Sequence, residues 1–365
     1  MTTTKYEDGG FSAGGSSISR REVLSSCLGL SAAALVSSAA PVVARAQPPG
    51  AGPATGALPA KTGPNPGAWV VLLGTRGGPG IDLAHSQTSA AVVVDGRPYL
   101  VDCGYGALRQ LVASNVGFLQ INTVFFTHLH NDHTGDFASL LSFQWTSGKS
   151  TPTDAYGPYG TSQLVAGALA FFRADLEIRT TDEGRTVDAE KIFHGHDVTA
   201  SATPVQVFKD DRVTVTAAEN THYPERSKAT MPHRSLALRF ETRNRTIVFS
   251  GDTTYSPNVV NLARNADLFF CEIIDATVLE QVLARAKQDA AEGVHASIAR
   301  HVAETHSSPA DVARMASEAN VKTVVLYHQV PGNPGAPGYP ATSFTDAVRK
   351  GFSGEVIVGQ ELMVL

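Results

Sequence analysis

Four potential metal ligands lie within one short stretch of the chain, Thr127-His128-Leu129-His130-Asn131-Asp132-His133. The apolar residues 124–126 precede this stretch and predict a buried strand that ends here. Two imidazoles at this spacing share one face of an extended chain, and the chain is then predicted to turn into a helix. Imidazole and carboxylate groups together suit zinc and related divalent ions. The stretch therefore predicts a metal site rather than a polar loop with chance histidines.

The stretch resembles the H-x-H-x-D-H signature of the metallo-β-lactamase superfamily. The resemblance covers residues 68–365, and it includes a Gly-rich loop at residues 73–78 and three later positions at or just after apolar strands, namely His222, Asp252 and His328. It implies two divalent metal ions, which we expect to be Zn²⁺. The implied ligands are His128, His130 and His222 for the first ion and Asp132, His133 and His328 for the second, with Asp252 bridging the two.

Two neighbouring ions would make the chain a hydrolase, because they lower the pKa of a shared water and provide a bridging hydroxide at neutral pH. Asp132 is thus expected to serve catalysis as well as metal binding. Asp252 is a carboxylate where one large subgroup of β-lactamases carries Cys, which disfavours a β-lactam substrate. His130 stands where diiron flavoproteins usually carry Glu, which disfavours redox chemistry.

His306 is the candidate that distinguishes branches of the superfamily. With Ser307 and Ser308 it resembles the H-x-[ST] element of the ribonuclease Z and arylsulfatase-like branch, in which this histidine faces the substrate as an acid or charge stabiliser. The alternative is a surface histidine before a helix. Glu272, in a predicted buried strand, is a candidate to orient His306. The interval between His222 and Asp252 is too short for the tRNA-gripping arm of ribonuclease Z.

We therefore expect an exported hydrolase of small esters, whether aryl sulfates, phosphodiesters or lactones. One alternative is a ribonuclease Z-like phosphodiesterase acting on nucleotides, and another is a non-catalytic metal-binding protein of the same fold. The net charge is −5, and the body of the chain has no basic run. Because nucleic-acid binding normally requires a basic surface, a small-molecule substrate and no nucleic-acid partner are expected. The oligomeric state is left open, with a dimer as one alternative.

The remaining histidines receive weaker predictions. His85 follows the Gly-rich loop and could line the cleft, while His233 could contact substrate. The other four, His194, His196, His295 and His301, are expected at the surface or behind the ligands.

The hydrophobic pattern predicts an α/β protein over residues 68–365. Strands precede helices in each half of this region, which indicates a four-layer αββα sandwich, the metallo-β-lactamase fold. Residues 47–67 are rich in Pro, Gly and Ala and are predicted to form a linker. Cys103 and Cys271 lie in apolar runs and are expected to be buried free thiols, although an exported protein could also pair them.

Residues 1–46 are predicted to be a twin-arginine signal peptide. Arg20 and Arg21 form the arginine pair, residues 23–40 are weakly apolar, and Ala44 and Ala46 are small residues of the kind that signal peptidases read. An uncleaved membrane anchor is the alternative, because the apolar stretch approaches the roughly 17-residue minimum for spanning a bilayer. The leader predicts passage through the twin-arginine translocase to the periplasm or the exterior.

Overall fold

The computed structural model describes residues 67–81, 83–277, 279–280, 284, 292–331 and 342–365. The predicted signal peptide and nearly all of the predicted linker lie outside these residues, as does most of a helix predicted over residues 277–290. None of the helices in the described ranges is long and apolar enough to cross a membrane.

Within the described residues, thirteen strands form two mixed sheets. The first sheet contains six strands in chain order, β1 (Ala68–Gly74), β2 (Ser89–Val94), β3 (Arg97–Val101), β4 (Thr123–Phe125), β5 (Thr153–Gly157) and β6 (Phe193–Asp197). The second runs in reverse chain order from β13 to β7 and contains β7 (Val205–Lys209), β8 (Val213–Glu219), β9 (Leu236–Thr242), β10 (Thr246–Phe249), β11 (Leu268–Ile274), β12 (Thr323–Val330) and β13 (Glu355–Val358). In each sheet antiparallel pairing gives way to parallel pairing, from β3 and from β10 onward.

Helices accompany both sheets. In the first half they are Ala107–Ala113, Asn131–Thr134, Phe137–Thr146, Thr161–Phe171 and Arg173–Asp182. In the second half they are Glu225–Lys228, Pro257–Leu262, Glu292–Thr305, Pro309–Glu318 and Ser343–Val348. Single 3₁₀ turns occupy Phe118–Gln120 and Ala189–Lys191.

Three apolar layers hold the four structural layers together. One joins the facing sides of the two sheets, and the others join each sheet to its own helices. β1 shows how a strand serves two layers at once: Trp69, Val71 and Leu73 face the helices, while Val70 and Leu72 face the other sheet. Successive side chains of a strand point to opposite faces, so a strand buried on both faces is apolar throughout. The predicted αββα sandwich is confirmed.

The structure also departs from the expected elements. β5, β6 and the helix Glu292–Thr305 have no counterpart in the prediction, because their sequences are polar or interrupted by Gly. The Ala- and Leu-rich residues 161–175 predict one helix, but the structure has two helices that meet at Phe172. The apolar pattern of residues 361–365 predicts a closing strand, but Val364 forms only an isolated bridge to Val71 of β1.

Cys103 and Cys271 are both buried free thiols, as predicted. Cys103 belongs to the apolar layer between the first sheet and its helices, and Cys271 belongs to the corresponding layer of the second sheet. Since the two lie in different layers, the thiols act as small apolar side chains in separate parts of the core.

Candidate metal centre

The seven predicted ligands meet at one edge of the sandwich. His128, His130, Asp132 and His133 follow the end of β4, His222 follows β8, and Asp252 follows β10. His328 lies two residues before the end of β12. The polar residues thus leave the apolar strands together, where the core ends.

The first group of donors is formed by His128, His130 and His222 with Asp252. The Nδ1 atom of His130 lies 3.0 Å from His128 Nε2 and 3.2 Å from His222 Nε2. The Oδ2 atom of Asp252 lies 3.6 Å from His128 Nε2 and 4.0 Å from His222 Nε2. Four ligand atoms therefore face one common point.

The second group is formed by Asp132, His133 and His328, again with Asp252. The Nε2 atom of His133 lies 3.5 Å from Asp132 Oδ2 and 3.3 Å from Asp252 Oδ1. The Nε2 atom of His328 lies 3.3 Å from Asp132 Oδ2 and 3.1 Å from Asp252 Oδ2. Asp252 thus turns one oxygen toward His133 and the other toward the first group as well as His328.

These separations fit divalent metal ions. Ligand atoms about 2.0–2.1 Å from a tetrahedral ion lie roughly 3.3 Å from one another, close to the distances in both groups. His133 Nε2 and Asp252 Oδ1 are buried without a hydrogen-bond partner. A buried polar atom with no partner is costly, whereas a cation facing both atoms would satisfy them. The imidazole and carboxylate donors accordingly form a potential metal site.

His328 reaches the centre because β12 bulges at this residue. The pairing of β12 with β11 shifts register there, so that Tyr327 pairs with Glu272 and Gln329 with Ile273, leaving His328 unpaired. His328 has a φ of 44°, in the left-handed region that residues with a side chain rarely adopt. A bulge redirects a side chain at such a position. Here it accompanies the turn of the imidazole toward Asp132 and Asp252.

Asp102 supports the second group, a role that was not predicted from the sequence. It directly follows β3 and is fully buried. Its Oδ2 atom accepts hydrogen bonds from His133 Nδ1 at 2.9 Å and Thr127 Oγ1 at 2.9 Å, and its Oδ1 atom accepts one from the Thr127 N–H at 2.8 Å. A proton held on Nδ1 leaves His133 Nε2 free to bind a metal ion. The sequence signal that could have revealed this role is an acidic residue at the end of a predicted strand.

The two groups differ in protonation. Burial lowers the pKa of His130 to about 4 and holds the pKa values of His128 and His222 well below their usual range. Burial acts the same way on His133, but the carboxylates around it, Asp252 first, outweigh it and raise its pKa to about 10. Only neutral imidazole binds a metal ion. The first group is therefore ready to bind at neutral pH, whereas the second must release protons.

The Gly-rich loop packs directly against the ligands. The N–H of Gly78 donates a 2.7 Å hydrogen bond to Asp132 Oδ2. A Cβ atom at Gly78 would lie 2.3 Å from the Asp132 carboxyl carbon, and one at Gly77 would lie 2.6 Å from His328 Cε1. Glycine is required at both positions because the loop backbone approaches the ligands too closely for a side chain.

His306 lies beside this centre and lines a cavity of about 430 Å³ together with Asp132, Asp252 and His328. Its Nδ1 atom donates a 2.8 Å hydrogen bond to Oε2 of the fully buried Glu272. Burial lowers the pKa of His306, but Glu272 outweighs it, so the net shift is upward. Its Nε2 atom is the ring nitrogen that remains for a molecule in the cavity.

The structure places the remaining histidines in different surroundings. His301 was expected at the surface or behind the ligands, and the structure places it in the wall of the metal cavity, on the helix Glu292–Thr305. His233 lines the neighbouring cavity, and its Nδ1 atom contacts the Tyr159 carbonyl. His85 lines a different cavity, away from the ligands. His194 and His196, on the edge strand β6, both contact Asp154 of the neighbouring strand β5.

Comparisons with known proteins give the site its context. The relative "Ribonuclease Z" of Mycobacterium bovis (strain BCG / Pasteur 1173P2) is 28% identical over 298 residues, covering 80% of this chain and 96% of the relative. Two solved structures share the fold at 20% identity. YhfI of Bacillus subtilis, a metallo-beta-lactamase fold protein, has a TM-score of 0.55 over 82% of this chain and 99% of its own. Human tRNase Z, short form, has a TM-score of 0.53 over 81% of this chain and 98% of its own.

The ribonuclease Z relatives contradict one expectation. A small-molecule substrate without nucleic acid was predicted from the net charge of −5 and the lack of a basic run, and this prediction is wrong. The physical reason is that binding depends on local charge. Arg226 and Arg300 are far apart in sequence, yet both line one cavity beside His130. A fold can assemble such a surface without any basic run.

The family model described as "Beta-lactamase superfamily domain" matches residues 97–329, which include all seven predicted ligands. The matched region begins in β3 and ends one residue after His328. The chain therefore belongs to the metallo-β-lactamase superfamily and, as a homologue of ribonuclease Z, is a hydrolytic enzyme.

Proposed function

We propose that this protein is a ribonuclease Z-like phosphodiesterase that hydrolyses RNA with two bound Zn²⁺ ions. The observation that carries the proposal is the pair of donor groups that share Asp252 and lie beside His306. The names of the ribonuclease Z relatives support a phosphodiester substrate over the aryl sulfates and lactones also considered above.

In this proposal three histidines, His128, His130 and His222, would hold the first ion. Asp132, His133 and His328 would hold the second, and Asp252 belongs to both donor groups. The backbone carbonyl of Thr305 lies 3.2 Å from His222 Nδ1 and fixes that ring, as Asp102 fixes His133. Such contacts select the ring nitrogen that faces a metal ion.

When bound, two ions of this kind activate water and stabilise the negative charge that develops on a phosphoryl group. The other roles in the reaction are assigned to side chains of the protein. His306 lines the cavity and is held at Nδ1 by Glu272. Glu272 raises the pKa of His306, which favours a proton on Nε2 that the ring could donate to the oxygen of the departing nucleotide. Asp132 is held by the Gly78 N–H, which keeps its carboxylate within the second donor group.

The non-catalytic alternative is disfavoured by the same geometry. A protein that kept only the fold would not need seven converging ligand side chains, a fully buried carboxylate behind His133 and another behind His306. The export prediction concerns residues outside the described ranges, and it remains a prediction that the substrate proposal does not require.

The proposal is tested with purified protein, metal-depleted and then reconstituted with Zn²⁺. We expect about two Zn²⁺ per chain, and metal-dependent cleavage of a single-stranded RNA and of bis(p-nitrophenyl) phosphate. Asp252→Asn should abolish both activities. Asp267→Asn is the matched control, because Asp267 is a half-buried carboxylate that pairs with Lys322 and belongs to neither donor group. Metal uptake with hydrolysis of p-nitrophenyl sulfate or a lactone, but of no phosphodiester, would overturn the proposal.

A further inference from the structure

A second cavity, of about 410 Å³, adjoins the metal cavity. We call it the side cavity, and its lining includes Leu129, Tyr223, Arg226, Met231, His233 and Arg300. The two cavities share His130, Ser297 and His301, so a ligand at the metal centre can extend from one into the other. Its volume falls in the range of about 300–1,000 Å³ that is usual for small-molecule sites.

Two segments build its walls. One is the loop that follows His222 and contains the helix Glu225–Lys228, and the other is the helix Glu292–Thr305. The loop is connected to the metal centre through His222. The helix is connected to it through the Thr305 carbonyl, which contacts His222 Nδ1. The side cavity is therefore fixed in position relative to the reacting phosphate.

One part of the side cavity is apolar and aromatic. Tyr223 is largely buried, with its ring centroid 5.6 Å from that of His130. Leu129 and Met231 extend the same surface. Flat aromatic and apolar surfaces of this kind bind the bases of single-stranded nucleic acids by stacking.

The polar part is cationic. Its lining includes Arg226 and Arg300 and contains no Asp or Glu. Arg226 is paired with Glu304, whereas Arg300 makes no ion pair within the described part of the chain. An exposed guanidinium without a carboxylate partner is suited to a phosphate group, to which it can donate two parallel hydrogen bonds.

From this arrangement we infer that the side cavity binds the nucleotide next to the scissile phosphodiester. The base lies against Tyr223, Leu129 and Met231, and Arg300 contacts the phosphate on the far side of that nucleotide. The inference rests on the proposed function and adds a substrate class to it: single-stranded RNA with at least one unpaired nucleotide beside the cut. A base in a duplex could not enter, because its faces are stacked on its neighbours.

Filling the cavity tests the inference directly. Ser227 lines the side cavity and is half-buried, so Ser227→Trp places an indole inside it. The matched control is Ala229→Trp, because Ala229 is exposed and lies outside the lining. Both variants are assayed on a short single-stranded RNA and on bis(p-nitrophenyl) phosphate, which is too small to require the side cavity. We expect Ser227→Trp to lower the kcat/KM ratio of RNA to the small ester at least tenfold, mainly through the KM for RNA.

Arg300→Ala tests the phosphate contact, with Arg173→Ala, a cation on the far helix layer, as its control. Loss of one charge-assisted hydrogen bond predicts about a tenfold higher KM for RNA, and Zn²⁺ content should not change. If the wild-type protein cleaves RNA and both variants keep the wild-type ratio, the subsite is overturned while the proposed function stands. If the wild-type protein cleaves no RNA, the proposed function fails, and the subsite fails with it.

Discussion

The substitution Asp102→Asn tests how a buried carboxylate prepares His133 to bind a metal ion. Asp102 is fully buried and accepts three hydrogen bonds, two from Thr127 and one from His133 Nδ1. Asparagine has nearly the same shape but replaces one acceptor oxygen with an NH₂ donor. Every arrangement of the amide therefore places a donor where the native site requires an acceptor.

The two possible arrangements have different costs. If the NH₂ group faces His133, it donates to Nδ1 and moves the ring proton to Nε2, the atom that faces Asp132 and Asp252. If it faces the Thr127 N–H instead, two buried donors meet, at a cost of about 1–3 kcal/mol. Changes behind a ligand typically weaken metal binding by about 10–100-fold, which corresponds to about 1.4–2.8 kcal/mol.

We therefore expect Asp102→Asn to weaken binding of one Zn²⁺ by about 10–100-fold and to leave the other nearly unaffected. Competition with a chromophoric chelator measures both dissociation constants. Asp267→Asn serves as the control, because Asp267 accepts a backbone hydrogen bond from Thr246 but contacts no ligand. Wild-type affinity for both ions in a folded Asp102→Asn protein would refute this reasoning.

Three further predictions follow from the same geometry. Asp252→Ala should lower Zn²⁺ content below one ion per chain, measured by elemental analysis, because both donor groups lose a ligand; retention of two ions would contradict the shared role. His306→Ala should keep its metal and lose about 10²–10⁴-fold in kcat with little change in KM, as expected for a proton donor, and unchanged kcat would exclude that role. Zn²⁺ uptake at pH 7 should release protons from His133 and His328, whose pKa values are raised mainly by Asp252, so calorimetry in buffers of different ionisation enthalpy should show net release, and the share from His133 should fall as the pH rises through about 10; no proton release at pH 7 would contradict this.

The sequence was sufficient to predict the parts of the fold that depend on local pattern. The apolar strands β1, β4 and β11 are recognisable because they are buried on both faces. The strand β5 and the edge strand β6 are not recognisable in this way. In β6, His194, Gly195 and His196 are half-exposed, and the strand forms through its pairing with β5. Pairing between distant segments leaves little local signal.

The candidate site was likewise predictable only where a local pattern indicated it. The resemblance to the metallo-β-lactamase superfamily implied the seven ligands, but the bulge at His328 follows from the register between β11 and β12 and has no local signature. The place of His301 in the cavity wall depends on a helix that was not predicted. The cationic side cavity could not be predicted either, because Arg226 and Arg300 come together only after folding.

The central claim is that this chain hydrolyses a phosphodiester of RNA with metal ions held by the two donor groups. It is tested most directly by cleavage of a single-stranded RNA in ¹⁸O-labelled water, with metal-depleted and Zn²⁺-reconstituted protein, followed by mass spectrometry of the products. We predict cleavage only after reconstitution, with one ¹⁸O atom in the new phosphate end and no 2′,3′-cyclic phosphate, because activated water is the nucleophile. Cleavage by the metal-depleted protein, or products ending in a cyclic phosphate, would contradict the account.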